Sequence, residues 1–244
     1  MTHDPYAPPP EPTSPAVPPP VQYTYGAPLY DVPPLRSAAG LGVGAIVLAS
    51  VWTVVQVLEL TFAPEAADAL RRAGEAGFGG LDSGFTSYDA VGIVSLPVQA
   101  AAYIVTCLWL YRSRSTAVAA TPGWMHERSK VWVWLGWWVP FVSLWFPHQV
   151  VRDIRRATAP GPVSGIGGWW AAWLVFILGS NVAGRLTTST AAEQALFAAD
   201  VLVLLEAVST VAMIVALLLW IRIVRDITRF QAERIAAAER EIIS

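Results

Sequence analysis

Polar side chains inside long apolar segments are the residues of this sequence that are best suited to chemistry. Such side chains are costly in a hydrocarbon environment, so they usually face a partner or a water-filled interior. Glu206 stands out because an ionised carboxylate within a spanning segment costs about 3 kcal/mol. Ser95 and Gln99 lie one helical turn apart and predict a polar face that points into a helical bundle. The candidate polar cluster comprises Gln56, Glu59, Ser95, Gln99, Asn181 and Glu206.

The sequence leaves two interpretations of Glu206 open. The residue is a proton or cation site, or it is a protonated or interface-reaching glutamate that is hydrogen-bonded to Gln56, Gln99 or Ser95. Both interpretations require the polar faces of several helices to meet in one interior.

The sequence predicts no enzyme, no metal site and no cofactor. His148 has no second histidine at metal-ligand spacing, and Cys107 is the single cysteine. His148 instead precedes a run of arginines on the polar face of an amphipathic helix, which is typical of contact with anionic lipid head groups. The candidate head-group contacts are His148, Arg152, Arg155 and Arg156. Ordinary cytoplasmic anchoring explains the same residues equally well.

Composition places these residues in a membrane protein. Of the 244 residues, 55% are hydrophobic and only 14% are charged, with a mean hydropathy of +0.48. The net charge of −2 and the scattered basic residues provide no basic face for nucleic acid. The expected partners are therefore the lipid bilayer and other membrane proteins or a second copy of the chain.

Four apolar segments are long enough to span a bilayer as helices of roughly 30 Å. They cover residues 41–62, 91–110, 166–186 and 201–221. The connector 63–90 predicts a short helix followed by a flexible turn. Residues 1–36 hold 12 of the 19 prolines and predict a disordered cytoplasmic tail. The predicted organisation is this tail, a membrane domain over 37–230 and a cytoplasmic helical tail over 231–244.

The stretch 131–151, which we name the Trp–Pro segment, is equally apolar but carries Pro140 and Pro147. Basic residues mark cytoplasmic loops, and all but three of the 16 fall inside if both ends of this segment are cytoplasmic. That count predicts a re-entrant or interfacial hairpin and cytoplasmic termini. A fifth, kinked spanning helix remains open, because membrane helices tolerate proline.

Motifs in and after the Trp–Pro segment resemble an uncharacterised bacterial membrane family, domain-of-unknown-function family 4328. The residues that carry the resemblance, which covers roughly 91–230, are Gly136, Trp137, Trp138, Pro140, Pro147, Trp169 and Trp170. The resemblance implies actinobacterial multi-span relatives with variable, often proline-rich tails. It implies class and location and brings no activity with it.

The sequence thus predicts an all-α integral protein of the bacterial plasma membrane, with four spanning helices around the Trp–Pro segment. A non-enzymatic scaffold or accessory subunit is the leading interpretation. The alternative is a small channel or transporter that uses the polar cluster around Glu206 in the outer half of the bundle.

Overall fold

The computed structural model describes residues 37–121, 126–158, 161 and 164–243. These residues belong to one unit, Pro33–Ser244. The proline-rich tail over 1–36, for which disorder is predicted, lies outside the described residues. Helices account for most of the described chain, and no strand occurs within these ranges.

Six α-helices and two short 3-10 turns follow one another within the described ranges. The turns are Gly80–Asp82 and Val142–Leu144. The α-helices are α1 (Ala39–Glu75), α2 (Ser87–Ala120), α3 (Trp132–Leu135), α4 (Phe146–Thr158), α5 (Ile166–Thr187) and α6 (Ala192–Ile243).

Helices α1, α2, α5 and α6 are each long and apolar enough to cross a membrane. Each contains one of the four apolar segments identified in the sequence, so the predicted all-α class with four candidate spanning helices is confirmed. Helices α3 and α4 do not meet these criteria. The described part of the Trp–Pro segment therefore contains no fifth spanning helix.

Helix α1 is longer than the apolar segment predicts and runs through Pro64 to Glu75 without a break. Its second half carries an alanine-rich face, with Ala63, Ala66 and the larger Leu70, that packs against Ala199 and Leu202 of α6. Close packing of small residues stabilises helix pairs. The short helix predicted after residue 62 is therefore a continuation of α1, and a connection that contains one 3-10 turn follows it before α2.

The bundle is built around α6, which packs against α1 and α5, while α2 packs against α1 and, less extensively, against α6. At one end Gln231 Nε2 of α6 donates to the Ser113 carbonyl of α2 over 2.8 Å. We name this the Trp–Pro end, because residues 126–158 pack there. At the other end the Leu81 amide donates to the Ser189 carbonyl over 3.2 Å. We name this the loop end, formed by residues 76–86 and 188–191.

The Trp–Pro segment leaves and returns at the same end of the bundle. It runs through α3, a non-helical turn and a 3-10 turn into α4. Phe141, directly after Pro140, has a positive φ of 63°, which costs energy for a residue with a side chain. At the end of α3 Tyr103 Oη donates to the Trp134 carbonyl over 2.8 Å. A side chain of α2 thus satisfies a backbone carbonyl that has no partner within the short helix.

Candidate functional site: a polar cavity joined to a tryptophan-lined cavity

Glu206 lies in the interior of the bundle with 2% of its surface exposed. Gln56 Nε2 of α1 donates to Glu206 Oε2 over 2.8 Å, and Tyr88 Oη of α2 donates to Glu206 Oε1 over 2.7 Å. Both carboxyl oxygens therefore accept a hydrogen bond from a different helix. This three-helix arrangement is the centre of the candidate site.

Tyr88 is a site residue that the sequence analysis missed. It is held in the first turn of α2 by a capping box, in which Thr86 and Asp89 satisfy each other's backbone amides. The box sets where α2 begins and hence where the phenol points. The capping pattern is visible in the sequence. It does not indicate that Tyr88 contacts Glu206, because the two residues are 118 positions apart in the chain.

The structure brings most of the predicted cluster together, although with different pairings. Gln99 Nε2 donates to Ser95 Oγ over 2.9 Å instead of to Glu206. Asn181 is exposed, and its Nδ2 donates to the Ile177 carbonyl of its own helix. Glu59 is half-buried and lines the same cavity as Glu206.

A cavity of about 420 Å³ opens beside Glu206. Ser180 and Arg185 of α5 line it, together with Trp52 of α1. The hydroxyl of Ser180 is buried and has no hydrogen-bond partner among the described residues. Ser180 lies about 10 Å from the end of α5 at the loop end, from the helical rise of ~1.5 Å per residue. The polar cavity is therefore inside the bundle, nearer its loop end.

A second cavity of about 690 Å³ adjoins the first and extends toward the Trp–Pro end. Trp52, Gln99 and Ile177 line both cavities. The remaining lining of the larger cavity is mostly aromatic and aliphatic and comes from α1, α2, α5, α6 and the Trp–Pro segment. The two cavities together form a groove between α2 and α5 that is polar at one end and apolar at the other.

An aromatic layer closes the groove at the Trp–Pro end. Trp137 lies edge-to-face with Trp173 of α5, with 6.1 Å between ring centroids. Trp169 stacks on Trp220 of α6 at 5.1 Å. Trp138 contacts the ring of Tyr103 at 5.4 Å. Edge-to-face and offset-stacked aromatic pairs stabilise packing beyond the area that they bury.

The remaining motif residues support this layer. Trp170 Nε1 donates to the Leu144 carbonyl over 2.7 Å, which ties α5 to the turn after Pro140. A Cβ at Gly136 would lie 2.6 Å from the Trp132 carbonyl oxygen, so only glycine fits there. Pro147 is buried in the first turn of α4, a position where proline is tolerated.

The predicted head-group residues on α4 have mixed surroundings. Arg152 pairs with Glu127 over 3.1 Å, and Arg155 lies 3.9 Å from Asp226 of α6. Arg156 is exposed. Burial beside Trp170, and then the charges of Arg152 and Arg156, lower the pKa of His148 below its usual value.

A buried pair beside α4 also escaped the sequence analysis. His126 Nδ1 lies 2.7 Å from Asp153 Oδ2, and the Glu127 amide donates to the same oxygen over 3.2 Å. Asp153 is on the arc that amphipathic periodicity predicts to be polar, yet it is buried against the loop that precedes the Trp–Pro segment. The pair fastens that loop to α4.

Four helices that are long and apolar enough to cross a membrane, with a polar interior between them, are compatible with a multi-pass helical membrane protein. The family described as "Domain of unknown function (DUF4328)" matches residues 82–229, and the chain belongs to this family. The predicted resemblance is thus confirmed. The matched residues include Tyr88 and Glu206 but not Gln56, because α1 precedes them. No curated protein and no solved structure matches the chain.

Proposed function

We propose that this chain is a non-enzymatic accessory subunit of the bacterial plasma membrane that binds a ligand inside the bilayer. The observation that carries the proposal is the polar cavity beside Glu206. Ionisable side chains at membrane depth are costly and usually serve a site or a pathway. A purely structural role for Glu206 would not require a cavity of about 420 Å³ next to it, whereas ligand sites have volumes of this order.

In this proposal the Trp–Pro end and both chain termini face the cytoplasm. The ends of α2 and α6, the loop over 126–130 and helix α4 all contribute basic residues to the Trp–Pro end. The loop end has Arg71, Arg72 and Arg185. An excess of arginine and lysine marks the cytoplasmic side of a membrane protein. The polar cavity then opens in the outer half of the bilayer.

The Trp–Pro segment re-enters the bilayer in this orientation. Trp138 contacts Tyr103 of α2 and Trp137 contacts Trp173 of α5. Tyr103 and Trp173 each lie about 10 Å inside the ends of the apolar segments, from the helical rise. Backbone that is not helical must be sheltered at such a depth. The hydrogen bond from Trp170 to the Leu144 carbonyl supports that shelter.

The placement of the histidines supports a non-enzymatic role. His126 and His148 lie at the Trp–Pro end, where they contact Asp153 and Trp170. Ser180 lies in the polar cavity near the opposite end. A serine nucleophile needs a base within hydrogen-bond reach. The Ser180 hydroxyl has no hydrogen-bond partner among the described residues, so neither a histidine nor a cavity carboxyl is hydrogen-bonded to it, which favours binding over covalent chemistry.

A small transporter is the second candidate, and the hydrogen bond between Tyr88 and Glu206 favours it. A buried carboxyl with a phenol partner can take up and release a proton during transport. The aromatic layer argues against an open aqueous channel, because an apolar constriction excludes hydrated ions. A transporter would have to move that layer, whereas a binding subunit would not.

Native mass spectrometry of the detergent-extracted protein tests the proposal. We expect the wild type to retain a bound lipid-sized mass. Ala100 is exposed at the mouth of the apolar cavity, so Ala100→Phe should displace that mass without disturbing the core. A wild-type protein that carries no bound mass would contradict the proposal.

Proton flux into proteoliposomes separates the two candidates. An accessory subunit shows no flux above protein-free vesicles. Flux that is lost in Glu206→Gln but kept in Asp200→Asn would establish the transporter instead. Asp200 is a matched control, because it is a carboxylate on the same helix that pairs with Arg71 at the surface.

A further inference from the structure

The groove between α2 and α5 combines a carboxylate-lined end with a tryptophan-lined end. We infer that its ligand is a single-chain amphiphile with a protonated amine head, held with the amine at Glu206 and Glu59 and the hydrocarbon chain in the apolar cavity. This inference rests on the proposed function and names the chemical class of the ligand.

The charge at the polar end selects a cation. Glu206 and Glu59 face one cavity, and Arg185 at its exposed edge supplies a single positive charge. With all three groups ionised the cavity keeps a net negative charge. Opposite charge in a site of low dielectric strengthens binding and excludes anionic head groups.

Hydrogen-bond capacity selects an amine with N–H groups. Gln56 and Tyr88 each use one lone pair of Glu206, so the other lone pairs need donors. The Ser180 hydroxyl is buried in the same cavity wall and has no partner among the described residues. A primary ammonium carries three N–H donors and no acceptor, which suits a cavity lined by carboxylates and a hydroxyl. A hydroxyl head carries one donor and no charge.

The length of the groove suits one hydrocarbon chain. Glu206 and Trp220 mark its two ends on α6, and the helical rise puts them about 21 Å apart. One leaflet of a bilayer is roughly 15 Å thick in its hydrocarbon part. A chain of that length fits between the carboxylates and the aromatic layer.

Entry from the bilayer is open at the side of the groove. Leu96 and Ile104 of α2 line the apolar cavity with 62% and 47% of their surfaces exposed. In a membrane these surfaces contact lipid tails, so a chain can slide sideways into the cavity. The ligand thus reaches the site without crossing the aromatic layer.

Tryptophan quenching by brominated chains tests the inference directly. The full chain is placed in phosphatidylcholine nanodiscs and titrated with octadecylamine that carries bromine atoms in mid-chain. The matched probes are the corresponding brominated alcohol and the brominated trimethylammonium compound, which has charge but no N–H donor. We expect saturable quenching with the amine at a concentration at least tenfold below that for either matched probe.

Glu206→Gln should weaken amine binding about tenfold, because a charge-assisted hydrogen bond is lost. The fold should survive, since Gln56 and Tyr88 can both reorient toward an amide. Asp200→Asn should bind like the wild type. If Glu206→Gln fails to fold, Glu59→Gln at the half-buried edge of the cavity provides the same comparison.

Three outcomes overturn the inference. In the first, the amine and the alcohol bind equally and Ala100→Phe removes the binding of both. The groove would then bind hydrocarbon chains without selecting the amine head, and the proposed function would stand. The same holds if Glu206→Gln and Glu59→Gln bind the amine like the wild type. Absence of saturable quenching with all three probes would remove both the inference and the ligand-binding role.

Discussion

Trp170→Phe is expected to destabilise the protein more than any comparable change in the Trp–Pro segment. Trp170 is 7% exposed, and its indole donates to the Leu144 carbonyl over 2.7 Å. Phenylalanine keeps an aromatic ring in the layer but cannot donate. It also leaves a void where the five-membered ring of the indole was, because close-packed interiors relax only in part.

The magnitude follows from these two losses. Side-chain hydrogen bonds between membrane helices contribute about 0.6 kcal/mol on average and up to about 1.7 kcal/mol. Truncating a buried tryptophan to alanine costs about 3–5 kcal/mol, so removing one ring of the indole should cost about 1–2 kcal/mol. We therefore expect the free energy of unfolding to fall by about 2–3 kcal/mol.

Equilibrium unfolding by SDS in mixed micelles, followed by circular dichroism, measures this change. Trp145→Phe is the matched control, since Trp145 lies next to Leu144 in the Trp–Pro segment with 45% of its surface exposed. A surface substitution of this kind should change stability by less than about 0.5 kcal/mol. Equal stability of the two variants would refute the claim that Trp170 anchors the Trp–Pro segment to α5.

Three further predictions address topology, the loop end and pH. Single cysteines are placed at Ser115 and at Ser164 in a background without the native cysteine. Both should react with an impermeant thiol reagent only after cells are opened. If the cysteine at position 164 alone reacts in intact cells, the segment between the two positions crosses the membrane. Gly80→Ala should lower stability by about 1–3 kcal/mol, because its Cβ would lie 2.2 Å from a carbonyl oxygen at the end of α5. A Cβ at Gly92 would have no atom within 4 Å, so the control Gly92→Ala should leave stability unchanged. Equal melting temperatures of the Gly80→Ala and Gly92→Ala variants would contradict the packing at the loop end. For His148 the folded pKa is below the usual value, so the folded state binds fewer protons and stability falls as the pH drops below about 6.5. His148→Gln should lose less stability than the wild type between pH 8 and pH 5. If the melting temperatures of the two proteins fall equally over this range, the contribution of His148 is excluded.

The course of α1 shows a limit of reading helices from sequence. The apolar segment ends near residue 62 and Pro64 follows, a pattern that favours termination. The helix continues because its alanine-rich face packs against α6. Local propensity is a small term, and a long-range helix contact outweighs it.

The polar face of α4 shows a similar limit. Periodicity correctly separates the buried positions Val150, Val151 and Ile154 from the polar arc. It also predicts that Asp153 is solvated, but the preceding loop folds over it and His126 pairs with it. A helical wheel describes one helix and contains no information about a segment that covers it.

The sequence alone determines the features of this protein that depend on local composition. Four runs of about twenty apolar residues are each long enough to cross a bilayer as a helix, the form in which a segment satisfies its own backbone there. A glutamate in such a run must find polar partners, and the motif around Trp137 and Trp170 identifies the family. The tertiary structure alone decided which partners meet. Tyr88 reaches Glu206 across 118 residues, and the two cavities adjoin because α2 and α5 pack on different neighbours. Contacts of that kind depend on how four helices pack together, and no single stretch of the chain encodes them.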